Sequence, residues 1–242
     1  MTGLLSVALV AAGLAQGFVR VLDGPDGPAR EAVIRELTAM GKRSLPQLSD
    51  ATYRVGWRAR EAILESLSRI GVDALPTLIA IARNHPKVDA RRGAVVSLEG
   101  MRIPAVGDSL RSLLGGSEDD LVLRAIGSTG NPMFEDLLSG YLSDQRSGVR
   151  RRAVTAFGAV GGPPDRLIAM LSDSAPSVRF AAALALEKRE PKKVCLAIDA
   201  AYEGLSSPGW FLALRTLGRL GCDEGVPTIR RGMSSEDWSI RA

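Results

Sequence analysis

The 242-residue chain is 45% apolar and 24% charged, a composition typical of a folded protein, which excludes an intrinsically disordered one. Aromatic residues make up only 5% of the chain, so any core is built mainly of Ala, Leu, Val and Ile. The formal net charge of +4 is too weak by itself to indicate a nucleic-acid-binding protein.

Two interpretations stay open for residues 1–19, which contain no charged side chain. Residues 4–15 are apolar and end in small residues before Gln16, as in a signal peptide, although no Lys or Arg precedes them. Alternatively, the stretch is a partial N-terminal repeat. The first interpretation favours a secreted or periplasmic protein and the second a cytoplasmic one. The apolar run is too short for a membrane span.

From residue 20 onward, a helix-like segment recurs every 28 to 31 residues. Each segment finishes at an equivalent position, which we call the repeat end. Glycine occupies most of these positions, and it suits a helix C-cap because it adopts positive φ at low cost. The repeat ends are Gly41, Gly71, Arg102, Gly130, Gly161, Glu190 and Gly221.

The positions four and seven residues before each repeat end are apolar in all seven segments. This spacing predicts the buried face of an amphipathic helix. We call this helix A. Four residues before the ends stand Leu37, Leu67, Leu98, Ile126, Phe157, Leu186 and Leu217. Seven residues before them stand Ile34, Leu64, Val95, Leu123, Val154, Ala183 and Leu214.

A second helix, helix B, is predicted after each repeat end, for example over residues 75–83, 132–142 and 164–171. A proline falls within six residues of every end, and proline is tolerated in the first turn of a helix. A helical pair of this size cannot bury its apolar face alone, so the pairs must stack on one another.

The pattern resembles HEAT repeats, in particular the short repeats of phycobilin-lyase-like proteins. The best-matching units are DQRSGVRRRAVTAFGAVG (144–161) and DSAPSVRFAAALALE (173–187). The resemblance implies an all-α, right-handed solenoid of about seven stacked helix-turn-helix repeats over residues 20–242. The last residues, EDWSIRA, match the beginning of another helix A, so we expect a chain truncated within a further repeat.

Arginine recurs eleven residues before five of the repeat ends, and aspartate precedes two of these arginines by six residues. The HEAT resemblance implies that such side chains form a hydrogen-bonded ladder through the stacked turns, for which a planar guanidinium is well suited. The series is broken by Asp119 and Trp210. The predicted ladder residues are Arg30, Arg60, Arg91, Asp144, Arg150, Asp173 and Arg179.

HEAT stacks usually bind partners on the concave surface lined by B helices, so the resemblance implies a binding surface there. The candidate side chains have mixed charge and one aromatic ring, whereas a groove that tracks phosphates is consistently basic and rich in stacking platforms. We therefore expect another protein as the partner and not a nucleic acid. The candidates are Asp50, Arg83, Arg111, Tyr141, Arg166, Asp199 and Arg230.

We expect no catalytic residue, no bound metal and no cofactor. The one histidine, His85, lies in NHPKVD, which we interpret as an exposed loop without acids or cysteines at ligand spacing. HEAT-like deoxyhypusine hydroxylases hold iron with His-Glu pairs that this chain lacks. Cys195 is interpreted as a small buried residue and Cys222 as a turn residue, with one bridge between them as the alternative.

These features predict a non-catalytic protein–protein interaction scaffold. The resemblance leaves two alternatives open. One is a bilin-lyase-like protein that handles tetrapyrroles, and the other is a HEAT-like DNA-binding or glycosylase module. The second alternative would need aromatic side chains in a basic groove, whereas Trp57, Trp210 and Trp238 fall near the beginnings of A helices.

Overall fold

The structure, a computed structural model, describes residues 16–101 and 105–234. Within these ranges the chain forms fifteen α-helices, joined in places by short 3-10 turns, and no β-strand, which confirms the all-α prediction. Residues 1–15, with the signal-peptide hypothesis, and residues 235–242, with Trp238 and the expected further repeat, lie outside the described residues.

The described residues form two compact units, one up to residue 125 and the other from residue 126 onward, and their boundary falls within one helix. The helices of the first unit are α1 (Gln16–Asp23), α2 (Pro28–Ala39), α3 (Leu45–Arg54), α4 (Trp57–Ile70), α5 (Leu75–Asn84), α6 (Val88–Gly100), α7 (Ala105–Arg111) and the beginning of α8 (Asp119–Ser128). Those of the second are α9 (Glu135–Tyr141), α10 (Ser147–Ala159), α11 (Pro164–Ala169), α12 (Pro176–Leu186), α13 (Pro191–Ala201), α14 (Ser207–Leu220) and α15 (Val226–Met233).

Each unit has two helical layers. Even-numbered helices are the predicted A helices and odd-numbered helices are the B helices. In the first unit, α4 packs between α2 and α6, and in the second, α12 packs between α10 and α14. The B helices form the other layer, in which α3 contacts α5 and α11 contacts α13. Every A helix of these layers therefore borders a neighbouring A helix of the same unit.

The core lies between the layers and is built from the predicted apolar positions of the A helices. All of these positions are buried except Leu214, which is partly exposed. Leu67 and Phe157 are 0% and 1% exposed. B helices contribute Leu48, Leu78 and similar aliphatic side chains from the opposite side. Burial of this apolar surface is the main favourable term in folding.

The turns between A and B helices follow the predicted backbone chemistry. All five glycines at the repeat ends have positive φ, between +56° and +99°, which confirms the C-cap prediction. The prolines that follow lie in the first turn of α3, α5, α11, α13 and α15, and Pro132 begins the 3-10 turn before α9. Pro104 lies outside the described residues.

A disulfide joins Cys195 in α13 to Cys222 in the turn after α14. Cys195 is fully buried, as predicted, and the single bridge left open by the sequence is present. The two cysteines are 27 residues apart, and closing a loop of that length stabilises a fold by roughly 3 kcal/mol in the loop-entropy description. The bridge therefore ties a B helix to the following repeat.

We predict that Phe157→Ala lowers the free energy of unfolding by about 3–5 kcal/mol, because it leaves a cavity in a close-packed core. Urea denaturation monitored by circular dichroism measures the loss. Phe180→Ala is the matched control, since Phe180 lies on the next A helix and is 46% exposed; its effect should stay below about 1 kcal/mol. A Phe157 variant as stable as the control would contradict the packing described.

Candidate functional site

In the second unit, the predicted ladder joins successive repeats. Arg150 donates from Nε and Nη2 to the two carboxylate oxygens of Asp173, at 2.8 and 2.9 Å. Its Nη1 donates to the carbonyl of Asp144 at 2.7 Å. Burial of the Asp173 carboxyl raises its pKa, but the hydrogen bonds from Arg150 and the Ala175 backbone outweigh this effect and hold the pKa below its ordinary value. The pair is a charge-assisted clamp between α10 and the next turn.

The partners of Arg150 differ from a ladder in which each arginine pairs with the carboxylate of the aspartate six residues before it. The aspartate six residues earlier supplies a backbone carbonyl, while the carboxylate comes from the following repeat. The carboxylate of Asp144 instead bonds to Arg146, whose hydrogen bond is the main cause that lowers the pKa of Asp144. The planar guanidinium of Arg150 thus donates hydrogen bonds to groups in two successive repeats.

The first unit shows the same arrangement with different acids. Arg60 donates to the carbonyls of Thr52 and Val55, both at 2.8 Å, and pairs with Asp89 of the next repeat. Arg91 pairs with Glu118 at 3.1 Å. Arg30 departs from this arrangement: it donates to the Leu22 carbonyl at 3.4 Å, but its nearest carboxylate is that of Asp26, four residues earlier, at 3.4 Å, and Glu61 of the next repeat is 3.9 Å away.

The pKa of Glu118 is lowered although burial of its carboxyl acts to raise it. Hydrogen bonds from Arg92, at 2.7 Å, from Ser117 and from Arg91 together outweigh the burial. The charged carboxylate therefore holds together two arginines of α6 and the beginning of the next repeat.

Arg179 differs from these arginines. Its Nη1 donates to the carbonyls of Asp173 and Ser174 at 2.8 and 3.1 Å, so its position on the preceding turn matches that of Arg150. In residues 16–101 and 105–234, however, no carboxylate forms an ion pair with its guanidinium.

His85 is in a loop, as predicted, but the expectation that it is exposed is wrong, because it is 1% exposed. Its Nδ1 accepts a hydrogen bond from the Lys87 backbone at 3.2 Å, and its ring lies 4.2 Å from that of Tyr53. Burial, and secondarily the positive charge of Arg60, lower the pKa of His85. The polar sequence around His85 does not predict this burial, because the imidazole is covered by Tyr53 of the preceding B helix.

The B-helix candidates are spread along the helices, and several are engaged within the chain. Asp50 pairs with Arg54 at 3.0 Å, and Arg83 donates to the Ser112 carbonyl. Asp199 accepts hydrogen bonds from Thr228 and Arg231. The remaining candidates are exposed or half-buried: Arg111, Tyr141, Arg166 and Arg230.

Sequence reasoning missed two grooves on the A-helix layer. The α4–α6 groove, about 430 Å³, has an apolar lining of Trp57, Leu64 and Val96 and a charged lining of Arg60, Glu61, Glu65 and Asp89. The α12–α14 groove, about 280 Å³, is lined by Arg179, Phe180, Ser207, Pro208, Phe211 and Leu212. A signal for the second was present, since Phe180 and Phe211 both stand ten residues before a repeat end, where other repeats carry polar residues such as Glu61.

Of the tryptophans, Trp57 is 64% exposed at the beginning of α4, and Trp210 is buried in α14. In the described ranges, no three His, Cys, Asp or Glu side chains are grouped so that they could hold a metal ion. None of the helices described above combines the length and the apolar character needed to cross a lipid bilayer.

The family model for HEAT repeats matches residues 120–187. Among solved structures, YibA of Escherichia coli is similar over 100% of this chain and 94% of its own, with 16% identity and a TM-score of 0.52. The complex of CpcE and CpcF of phycocyanin lyase from a Nostoc species is similar over 88% of this chain and 91% of that chain, with 19% identity and a TM-score of 0.42. Human deoxyhypusine hydroxylase is similar over 99% and 84%, with 18% identity and a TM-score of 0.30.

No sequence of a curated protein matches the chain. Residues 120–187 are a HEAT-repeat region, as predicted, and the all-α fold class of stacked helical pairs is confirmed by the similarity to YibA. At 16% identity this similarity concerns the fold alone.

We predict a coupling free energy of about 1.5–3 kcal/mol between Arg150 and Asp173 in a double-mutant cycle with alanine, because both charged groups are largely buried and bidentate. Urea unfolding of the four proteins measures it. The cycle of Arg179 with Asp173 is the control, since Arg179 hydrogen-bonds only to the backbone of Asp173 and acts on its carboxylate through charge alone, so its coupling should be below about 1 kcal/mol. Equal coupling in the two cycles would rule out the clamp.

We predict that the stability of the protein falls as the pH drops from about 7.5 to about 5, and that His85→Gln weakens this dependence. Because the folded-state pKa of His85 is lowered, its contribution is present above the unfolded-state pKa of about 6.5 and is lost as the pH falls through the folded-state pKa. The groups around the ring are Tyr53, Arg60, Asp89 and Arg91.

Urea titrations at several pH values measure the slope, which one proton limits to about 1.4 kcal/mol per pH unit. The Asp173 carboxyl does not interfere, because its pKa is lowered and it titrates in a more acidic range. A variant with the wild-type slope would contradict the prediction.

Proposed function

We propose that the protein is a non-catalytic interaction scaffold that binds another protein through its A-helix grooves. The observation that carries the proposal is the set of large apolar side chains exposed on the A helices. Trp57 and Val96 border the α4–α6 groove, and Phe180 and Phe211 border the α12–α14 groove, each between 43% and 64% exposed. Clustered exposed aromatic residues are typical of protein-binding surfaces.

The B-helix surface implied by the HEAT resemblance is the second candidate for the same function. It is supported by exposed charges such as Arg230 and by Leu196 on α13, which is 51% exposed. Its charged side chains, however, are partly committed within the chain, as in the pairs Asp50–Arg54 and Asp199–Arg231. A partner would compete with these contacts, which favours the α12–α14 groove, where Arg179 forms no ion pair with a carboxylate of the described residues.

The charge of the first unit's groove argues against a polyanionic partner. Glu61, Glu65 and Asp89 line it together with Arg60, which pairs with Asp89, so the groove lacks the consistently basic surface that a phosphate backbone needs. The α12–α14 groove, about 280 Å³, is slightly smaller than the roughly 300–1,000 Å³ of typical small-molecule sites, so it favours a single side chain over a tetrapyrrole.

Site-specific photo-crosslinking in an extract of the source cells tests the proposal. A benzophenone amino acid replaces Trp57 or Phe211 on the A helices, and Asp50 or Arg230 on the B helices. We expect one partner protein to crosslink at an A-helix position, and an excess of unlabelled wild-type protein to suppress the product. The variants Trp57→Ser and Phe211→Ser, used as competitors, should suppress it less at their own positions.

Crosslinks confined to Asp50 and Arg230 would place the binding surface on the B helices. If no position gives a competed protein crosslink, and the protein binds DNA with a steep salt dependence or acquires visible absorbance with a bilin, the scaffold proposal is wrong.

A further inference from the structure

The two helices that form the α12–α14 groove are purely basic in their charged residues. Helix α12 contains Arg179, helix α14 contains Arg215 and Arg219, and neither contains an acidic residue. Glu187, just after α12, is 2.9 Å from Arg219 and 3.8 Å from Arg215, so one carboxylate is shared between two guanidinium groups. The groove therefore has an excess of positive charge beside its apolar surface.

Arg179 supplies that charge in a defined orientation. Its Nη1 is fixed by two turn carbonyls at 2.8 and 3.1 Å, as the Nη1 of Arg150 is fixed at 2.7 and 3.1 Å. In Arg150, the remaining Nε and Nη2 atoms clamp the carboxylate of Asp173. In Arg179 the same edge of the guanidinium contacts no carboxylate among the residues that the structure describes, although it is positioned to accept one.

The missing carboxylate has an identifiable cause in the sequence. Asp144 and Asp173 each stand two residues before the N-cap of the following A helix, and Gly204 holds this place before α14. A Cβ atom built on Gly204 would meet nothing within 4 Å, so the space where an aspartate side chain would begin is open. The sequence position that carries Asp173 before α12 is thus a glycine before α14.

The apolar part of the groove adjoins this unpaired edge. Phe180 and Phe211 are 46% and 43% exposed, and Pro208 and Leu212 complete the lining. The guanidinium of Arg215 lies over the Phe180 ring, 5.2 Å from its centroid, which holds the ring in place. The volume of about 280 Å³ suits one large apolar side chain.

We propose that the α12–α14 groove binds a segment of a partner protein in which an acidic residue adjoins a large apolar residue. The apolar side chain packs between Phe180 and Phe211, and the carboxylate takes the place on Arg179 that Asp173 takes on Arg150. This inference rests on the proposed scaffold function and assigns the partner its chemistry. The α4–α6 groove does not select a charge in this way, because arginines and carboxylates alternate along α4 and α6.

A peptide library displayed on phage and selected in parallel on the wild-type protein and on Arg179→Glu tests the preference. We expect wild-type protein to enrich peptides with Asp or Glu next to Phe, Leu or Trp, and the variant to enrich peptides with Lys or Arg at that place. Selection of the same peptides by both proteins, or of peptides without an acidic residue by the wild type, would overturn the proposal.

Fluorescence anisotropy with the best labelled wild-type peptide then measures affinity. Arg179→Gln, and exchange of the peptide's acid for its amide, should each weaken binding about tenfold or more. Gly204→Asp should weaken it as well, because the new carboxylate can occupy Arg179 from within the chain, and should not lower the melting temperature. Arg43→Gln, in the turn before α3, is the control with the same loss of charge and should bind like the wild type.

Unchanged affinity in Arg179→Gln overturns the proposal. If Arg179→Gln does not fold, Gly204→Asp decides, since it removes no native side-chain contact, and its unchanged affinity overturns the proposal equally. If Arg230→Gln or Trp57→Ser abolishes peptide binding and the variants of the α12–α14 groove do not, the scaffold function is retained but the α12–α14 groove is not its binding site. The absence of both selected peptides and competed crosslinks would remove the scaffold function itself.

Discussion

The fold depends on one packing constraint, which is that a helical pair of about 30 residues can bury its apolar face only against the next pair. The A helices therefore lie side by side in each unit, and their contacts require small residues at the closest points. A Cβ atom on Gly158 of α10 would come within 2.8 Å of the Ala185 side chain of α12. This close approach keeps Phe157 and Leu186 in the core of the second unit. It also produces a groove between neighbouring A helices on their exposed side. The A-helix side chains that do not point into the core line this groove and determine what can bind.

The same stacking creates an electrostatic requirement in the turns. Buried turn carbonyls need donors, and arginine provides several in a fixed plane. An arginine that enters this position brings a positive charge, which is stable there when the following repeat contributes a carboxylate, as Asp173 does for Arg150. The same arginine position of the repeat can therefore have a structural role or a binding role in this protein. The same residue type in the same geometry is structural where an acid follows, and available to a partner where Gly204 follows.

The HEAT-repeat region and the similarity to YibA establish how the helices are arranged, and this arrangement is compatible with many binding functions. What distinguishes this chain is the chemistry at positions that the repeat does not constrain. Phe180 and Phe211 are at one such position in successive repeats, and they give the second unit an apolar surface beside a cation. Recognition by a few buried side chains within a charged rim is the usual anatomy of a protein interface.

The sequence by itself determined the helical pairs, their period and their core, because these depend on local properties of the chain. An apolar face at helical spacing, glycine at positive φ and proline in a first helical turn act within a few residues, so Leu67, Gly71 and Pro76 could be assigned their places directly. Only the tertiary structure decided which side chains meet across repeats. Asp173 pairs with Arg150, 23 residues away, and Tyr53 covers His85, because stacking sets the lateral offset between turns. That offset depends on side-chain volumes summed over whole repeats, and no local pattern encodes it.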